Sequence, residues 1–356
     1  MRKLLLFALF GSLVWNGHTF ADVANVDVMV VDDDTDLPVK GVRVTGYFTV
    51  DIGARAWTES SVPNKASAVT DKNGRCKVSG KTNCGRAGCW VENPPAGYYC
   101  PSRGWGHTYS EKNLLGVWQP DNLVATIRLQ RVERPIPLMV KSVEWRNRES
   151  GLRGLQGTNA VMRFDMMRGD WLPPYGKGEI ADVTIASKVT VTGTGKSRKP
   201  YPEFGWETMN FYELRGEVAF SGSDGISERA VKPADGLKIR CVREEPAGRR
   251  VARVSGVRQV FERKGGDWYA DGFSDKNTDR AYAFRIRSRR NENGELVEAY
   301  YGKIYGDFEF EGNDRSGLVS VKFLDDLNPT PLDRNLEWDM RNNLCPDPGS
   351  LGERRP

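Results

Sequence analysis

The sequence predicts an all-β protein in two parts, a smaller N-terminal β-sandwich and a larger C-terminal β-sandwich or jelly roll. Three observations carry this. Windows longer than about ten residues with apolar positions three and four apart are nearly absent, whereas stretches of apolar/polar alternation recur along the chain. Turn-forming groups separate those stretches, drawn from 38 Gly and 19 Pro. Finally, Arg134-Pro135-Ile136-Pro137 sets two prolines one residue apart, which favours an extended, unpaired linker over residues 134–137. Composition agrees: 356 residues suffice for two domains, and 39% hydrophobic and 10% aromatic content can fill their cores.

Ahead of the first strand, Arg2 and Lys3 precede an apolar run from Leu4 to Trp15 and a small residue at Ala21. That order reads as a secretory signal over residues 1–21. The run is shorter than the roughly 20 residues needed to span a bilayer, so no membrane span is expected. Asp22 rather than Cys follows Ala21, which leaves no site for a lipid anchor of the bacterial type. A secreted or periplasmic protein is the expectation.

The first part, residues 22–133, opens with Val26, Val28 and Val30 alternating with polar residues. It turns through Asp32 to Pro38 and resumes at Val39, Val42, Val44 and Tyr47, which reads as a hairpin. A turn at Asp71-Lys72-Asn73-Gly74 leads into a strand at Cys76–Val78, and Leu123, Ala125, Ile127 and Leu129 line one face of a last strand. Asp32, Asp33, Asp34 and Asp36 read as turn carboxylates rather than a calcium site. The stretch Val31-Asp32-Asp33-Asp34-Thr35-Asp36-Leu37-Pro38-Val39-Lys40-Gly41-Val42-Arg43-Val44, followed by Thr70-Asp71-Lys72-Asn73-Gly74, resembles the carboxypeptidase regulatory-like domains. The resemblance implies a transthyretin-like β-sandwich, an accessory module that brings no catalytic residues with it.

For the second part, residues 138–345, strands are expected at 138–146, 160–168, 180–193, 209–221, 236–244, 251–263, 267–273, 280–289, 295–310 and 317–325. Asn291-Glu292-Asn293-Gly294 is the clearest hairpin turn among them. About ten strands without helices imply a sandwich or jelly roll, of no recognised family. Residues 346–356 read as an irregular tail.

Six cysteines, at 76, 84, 89, 100, 241 and 345, are an even number in an exported chain. Three disulfides are therefore expected, two among Cys76, Cys84, Cys89 and Cys100 in unspecified connectivity, and one between Cys241 and Cys345. The spacing holds no C-x-x-C pair, so a metal site is not expected. Removing the signal takes Arg2 and Lys3 and no acid, lowering the net charge from +5 to +3. Lys and Arg are interleaved with Asp and Glu, so nucleic acid is not an expected partner. The densest basic groups are Arg249, Arg250, Arg253 and Arg258, and Arg285, Arg287, Arg289 and Arg290; both read as solvated strand faces.

Only His107 remains after signal removal, too few imidazoles for a metallopeptidase zinc site. Its Gly-rich surroundings lack a nucleophile elbow. No phosphate-binding glycine loop is present, and no cofactor is expected. Carboxylate-only chemistry survives: Asp307, Glu309 and Glu311 alternate with Phe308 and Phe310, so an extended strand would place the three acids on one face, as a glycan-cleaving enzyme could use them. The plainer expectation is a strand whose phenylalanines are buried and whose acids face water. Asp275-Lys276-Asn277-Thr278-Asp279 opens like a calcium loop but lacks the glycine and closing Glu, so it reads as a polar turn.

In Lys199-Pro200-Tyr201-Pro202-Glu203-Phe204-Gly205-Trp206, rings are combined with proline and glycine. The pattern nominates Tyr201, Phe204 and Trp206 as ligand contacts on a surface loop. Taken together, the residues predict an exported, non-catalytic binding or assembly protein of the cell envelope or extracellular space. Its partner is a polysaccharide or another envelope protein; the alternative is the carboxylate-dependent glycan-cleaving enzyme.

Overall fold

A computed structural model describes residues 22–51, 61–99, 104–113, 116–120, 123–143, 155–156, 159–198, 206–230, 239–262, 268–277, 280–313, 318–346 and 348. Residues 1–21, read from the sequence as a secretory signal, and nearly all of 346–356 lie outside them. The described residues form an all-β protein, and among them no helix is long and apolar enough to cross a membrane. The chain divides into two compact units, Met1–Arg131 and Val132–Pro356.

The first unit contains β1 (Val23–Asp32), β2 (Arg43–Asp51), β3 (Ser61–Val69), β4 (Arg75–Lys81), β5 (Arg86–Val91), β6 (Trp105–Thr108), β7 (Glu111–Lys112), β8 (Trp118–Gln119) and β9 (Val124–Leu129). Two sheets face each other, β4-β1-β9 and β3-β2-β5-β6. The expected hairpin of β1 with β2 is therefore corrected: the two strands lie in different sheets, and β1 meets the returning chain at Leu37–Val39, ahead of β2, with an isolated bridge Val31↔Pro38. Alternation reports which residues point inward but not which strand is the neighbour.

Val26, Val28, Val30, Val42, Val44, Val78, Ala125, Ile127 and Leu129 fill the space between the sheets together with Phe48. Phe48 lies flat against Gly80, where an added Cβ would fall 2.1 Å from the ring. Gly74 ends the Asp71 turn with φ +71 and donates to the Asp71 carbonyl at 3.0 Å. Asp32 closes the first turn: its Oδ1 accepts from the N–H of Asp34 and Thr35, and its Oδ2 from the Tyr98 hydroxyl and Arg131 Nε. The turn-carboxylate expectation thus has a physical basis at Asp32.

The second unit contains β10 (Ile136–Val143), β11 (Leu155–Gln156), β12 (Asn159–Asp165), β13 (Asp170–Trp171), β14 (Val183–Arg198), β15 (Trp206–Phe220) and β16 (Gly225–Ala230), then β17 (Arg250–Glu262), β18 (Trp268–Ser274), β19 (Arg280–Arg290), β20 (Leu296–Asn313), β21 (Leu318–Leu327) and β22 (Trp338–Asn343). Its sheets run β16-β19-β20-β21-β10-β22 and β13-β12-β14-β15-β17-β18. Phe164, Phe220, Phe284, Phe308, Phe310 and Phe323 pack between them. The Asn291–Gly294 turn forms as expected, with Asn291 Oδ1 accepting from the N–H of Asn293 and Glu295.

Several boundaries differ from expectation for definite reasons. Ile136 and Pro137 belong to β10, where Ile136 pairs with Trp338, so the double proline is extended but not an unpaired linker. Just before it, the N–H groups of Glu133 and Arg134 donate to the Glu337 carboxylate at 2.7 and 2.6 Å. No strand forms at the described part of 236–244, where Cys241 makes only an isolated bridge with Asn335. The short β16 and the C-terminal β22 were hidden by their mixed polarity. Each unit joins its first strand to its last in parallel, β1 with β9 and β10 with β22.

Candidate functional site

The acids nominated for catalysis do not share one face. Gly306 has φ +70 and the β20–β21 register shifts between Tyr305 and Glu309, a bulge that turns Asp307 and Phe308 both inward. Asp307 accepts from Arg253 Nε at 2.6 and 2.7 Å, from the Tyr282 hydroxyl at 2.7 Å and from the Asn277 N–H at 3.1 Å. Burial first, and then the bond to Asp307, push the Tyr282 phenol far above its ordinary range. Glu309 instead pairs with Lys276 at 2.7 Å, and Glu311 is exposed. A strand with three aligned acids would need an unbroken ladder, which the bulge removes.

The arginine clusters are likewise not uniformly solvated. Arg253 and Arg285 are buried, and Arg287 donates to Asp182 at 2.9 Å and Asp165 at 2.6 Å. Burial raises the Asp182 carboxyl above its ordinary range despite that bond. Burial also presses Asp165 upward, but the N–H groups of Glu179, Ile180 and Arg168 outweigh it and hold the acid low. Both clusters join the two facing sheets, since Arg253, Asp165 and Asp182 stand on or beside one sheet while Asp307 and Arg287 stand on the other. Charged residues on strands were read as outward-facing because paired burial across a sandwich leaves no mark in local alternation.

The described cysteines are not joined by disulfides. Cys84 Sγ lies 3.3 Å from the Thr49 carbonyl, near Thr82, whose N–H meets Asp22 at the start of β1. Cys241 is exposed beside Asn335, whereas Cys345 is buried in the second core beyond the whole length of β22, so this pair is not brought together. Cys76 and Cys89 both pack into the first core. Cys100 itself lies outside the described residues. Burial pushes the Cys76 thiol up to about 11 and the Cys89 thiol up to about 12. Among the described residues no group of His, Cys, Asp and Glu is placed to hold a metal.

The aromatic loop nominated as a ligand contact has a defined setting. Trp206 is the first residue of β15 and stands in register with Arg198, the last of β14; Tyr201 and Phe204 lie outside the described residues. The loop therefore caps a long hairpin. At its base the hairpin is flanked on both sides, by β12 along Val183–Lys188 and by β17 along Tyr212–Ala219. Beyond that base, among the described residues, Val189–Arg198 of β14 pair only with β15, and Trp206–Phe211 of β15 pair only with Gly193–Arg198.

Among the described residues, Gly193–Arg198 and Trp206–Phe211 form a two-stranded ribbon with no further strand on either side. Thr190, Val191, Thr192 and Thr194 are exposed, Val191 by 55%. Phe211 lies across Gly193 and Gly195, so closely that a Cβ at position 195 would fall 2.5 Å from its ring. Those two glycines made the sequence read as a turn, which is why the expected strand stopped at 193. Chemically, an open edge offers a row of backbone N–H and C=O groups, able to bind an extended partner strand.

No family model matches the chain, and no curated protein matches it. Among solved structures it is similar to the minor pilin GBS52 of Streptococcus agalactiae, at 18% identity and TM-score 0.22 over 33% of this chain and 48% of that one. The chain thus spans about half the length of that pilin. It is also similar to the shaft pilin SpaA of Lactobacillus rhamnosus GG, at 11% identity and TM-score 0.21, covering 78% of this chain and 92% of that one. A third is BcpA, the major pilin subunit of Bacillus cereus, at 10% identity and TM-score 0.22, covering 85% and 95%. TM-scores at this level carry no weight for function, which rests on the geometry of the chain itself.

Proposed function

We propose that this is an exported, non-catalytic binding or assembly protein of the cell envelope or extracellular space. Its N-terminal unit serves as a transthyretin-like accessory module, and the second unit engages a polysaccharide or another envelope protein through the β14–β15 ribbon and the aromatic loop at its tip. The observation that carries this is the open-edged ribbon. Two strands alone are marginal in water, so a ribbon extending past its flanking strands is suited to completion by a partner. The sealing of Asp307 under Arg253 and Tyr282 supports the non-catalytic reading, because a carboxylate so engaged has no face for a glycosidic bond.

The test removes the ribbon and spares its base. Val191 and Tyr212 are register partners, so residues 192–211 can be replaced by Asn-Gly, a two-residue hairpin turn. The expected result is loss of co-sedimentation with isolated envelope fractions at unchanged melting temperature. Full retention of binding would refute the proposal. Trp206→Ala refines it: a tip contact predicts weakened binding in a protein of unchanged stability.

A further inference from the structure

We infer that the outward face of the β12-β14-β15-β17 sheet, at the base of the ribbon, holds the anionic groups of an acidic polysaccharide with Lys188, Arg215, Arg163 and Arg250. The inference rests on the second unit's binding role and names the chemical class of its partner.

The face follows from alternation. Met162, Phe164, Ile185, Leu214, Val218 and Val251 point into the second core, so the residues between them on the same strands point outward. Register aligns these in rows across the four strands. One row runs Arg163, Thr184, Ala219, Arg250; the next Val161, Ala186, Glu217, Ala252; and the third Asn159, Lys188, Arg215, Val254. Arg163, Lys188, Arg215 and Arg250 are all exposed. Glu217 is the one acid in these rows, and Arg250 engages it at 3.1 Å. Acids return at the margins, with Glu213 one row further along β15 and Asp275 beyond Val254, whose N–H it accepts at 2.8 Å.

Lys188 and Arg215 carry the argument. They stand directly opposite each other on adjacent strands, where side chains start about 5 Å apart and like charges repel. Among the described residues neither side chain has an ion-pair or hydrogen-bond partner. An anion lying between them turns that repulsion into two attractions. Arg163 and Arg250 stand three strand spacings apart, about 14 Å, so the fitting occupant bears repeated anionic groups along a chain.

The rest of the face selects among polyanions. Its floor is Thr184, Ala186, Ala219 and Ala252, half-buried and small, without the large anchors that centre a protein interface. A sheet twists by about 20 to 25° per strand, so the cations do not share a plane; a flat membrane meets few of them at once, whereas a flexible chain follows them. Glu213 and Glu217, set among the cations, oppose the dense charge of a nucleic acid but leave room for the sparser charge of an acidic glycan.

Calorimetric titration of the full mature chain with oligogalacturonate, and with uncharged dextran as the control, tests this. Oligogalacturonate should bind, and added salt should weaken its binding; dextran should show no such salt dependence. Lys188→Ser/Arg215→Ser should raise the oligogalacturonate Kd at least about tenfold while the melting temperature stays the same or rises, because a repulsive pair is removed. Glu213→Gln should lower the Kd. No binding of oligogalacturonate, equal affinity in the double variant, or binding only to DNA or to phosphatidylglycerol vesicles overturns the inference. If envelope co-sedimentation needs residues 192–211 but oligogalacturonate binding ignores Lys188 and Arg215, the inference alone falls. If co-sedimentation survives replacement of residues 192–211, the functional proposal falls whatever the titrations show.

Discussion

The two units bury different kinds of residue. In the first, valines with Ile127 and Leu129 dominate the space between the sheets, joined by Phe48, Tyr109 and Trp118, and Phe48 packs on Gly80. In the second, Arg253–Asp307 and Arg287–Asp165/Asp182 are embedded beside a phenylalanine-rich core, and Lys303 lies fully enclosed 3.7 Å from Asp326. The difference teaches how each sandwich holds its sheets in register. Close packing of branched side chains around a few rings serves the first core, whereas in the second directional ion pairs fix the alignment of phenylalanine-rich sheets.

The largest break in this comparison should come from Asp307→Ala. It leaves the Arg253 guanidinium inside without its partner, and the expected cost is about 3 to 5 kcal/mol of stability, measured by denaturant unfolding. In the first unit the comparable pair is Asp32 with Arg131, whose guanidinium is half-exposed, so loss of Asp32 strands no enclosed charge.

Next is a pH experiment on Lys303. Burial lowers its ammonium to about 8 from 10.5, against the opposing pull of Asp326 and Glu337. Between those two values the unfolded chain holds a proton that the folded chain has released. Stability should therefore gain a rising contribution with pH across that window, approaching about 3 kcal/mol. Comparing urea midpoints of the native chain and the double variant Lys303→Met/Asp326→Leu checks this, since the variant should lack that rise. An equal rise in both would remove Lys303 as its source.

In the first unit, Gly80→Ala would drive a methyl group into Phe48, with an expected loss of about 1 to 3 kcal/mol by thermal unfolding. The smallest effect is expected outside both cores. Trp90 stacks on Tyr47 with centroids 3.6 Å apart and is 37% exposed, so Trp90→Ala should cost only about 0.5 to 1.5 kcal/mol. A larger loss would mean that the outer face of this sheet contributes to holding the sandwich together.

What could be read from the sequence follows the same division. Alternation at Val26, Val28 and Val30 and at Ala125, Ile127 and Leu129 identified inward faces, because at these positions inward and apolar coincide. In the second unit that coincidence fails: Arg253, Arg285 and Asp307 were read as solvent-facing and are buried. A side chain's partner comes from a strand distant in sequence, Arg253 and Asp307 being 54 positions apart, so no local pattern announces the pair. The ribbon was partly legible. Its aromatic tip was singled out, but its length was not, because Gly193 and Gly195 carry a turn signal that Phe211 overrides by covering them. The expected partner of β1 was wrong for a related reason, since proximity in sequence favoured β2 while the sheet chose β4 and β9.

The parallel pairing of first and last strands in each unit bears on how the protein responds to force. When the ends of a unit are drawn apart, two parallel terminal strands slide along each other, and the hydrogen bonds between them are loaded together in shear rather than opened one by one. Val23–Asp32 against Val124–Leu129 meets a pull in this way, and so does Ile136–Val143 against Trp338–Asn343. Forced unfolding is governed by the barrier to the first rupture, so a chain tethered at one end and tugged at the other would meet its stiffest resistance at the outset, twice over.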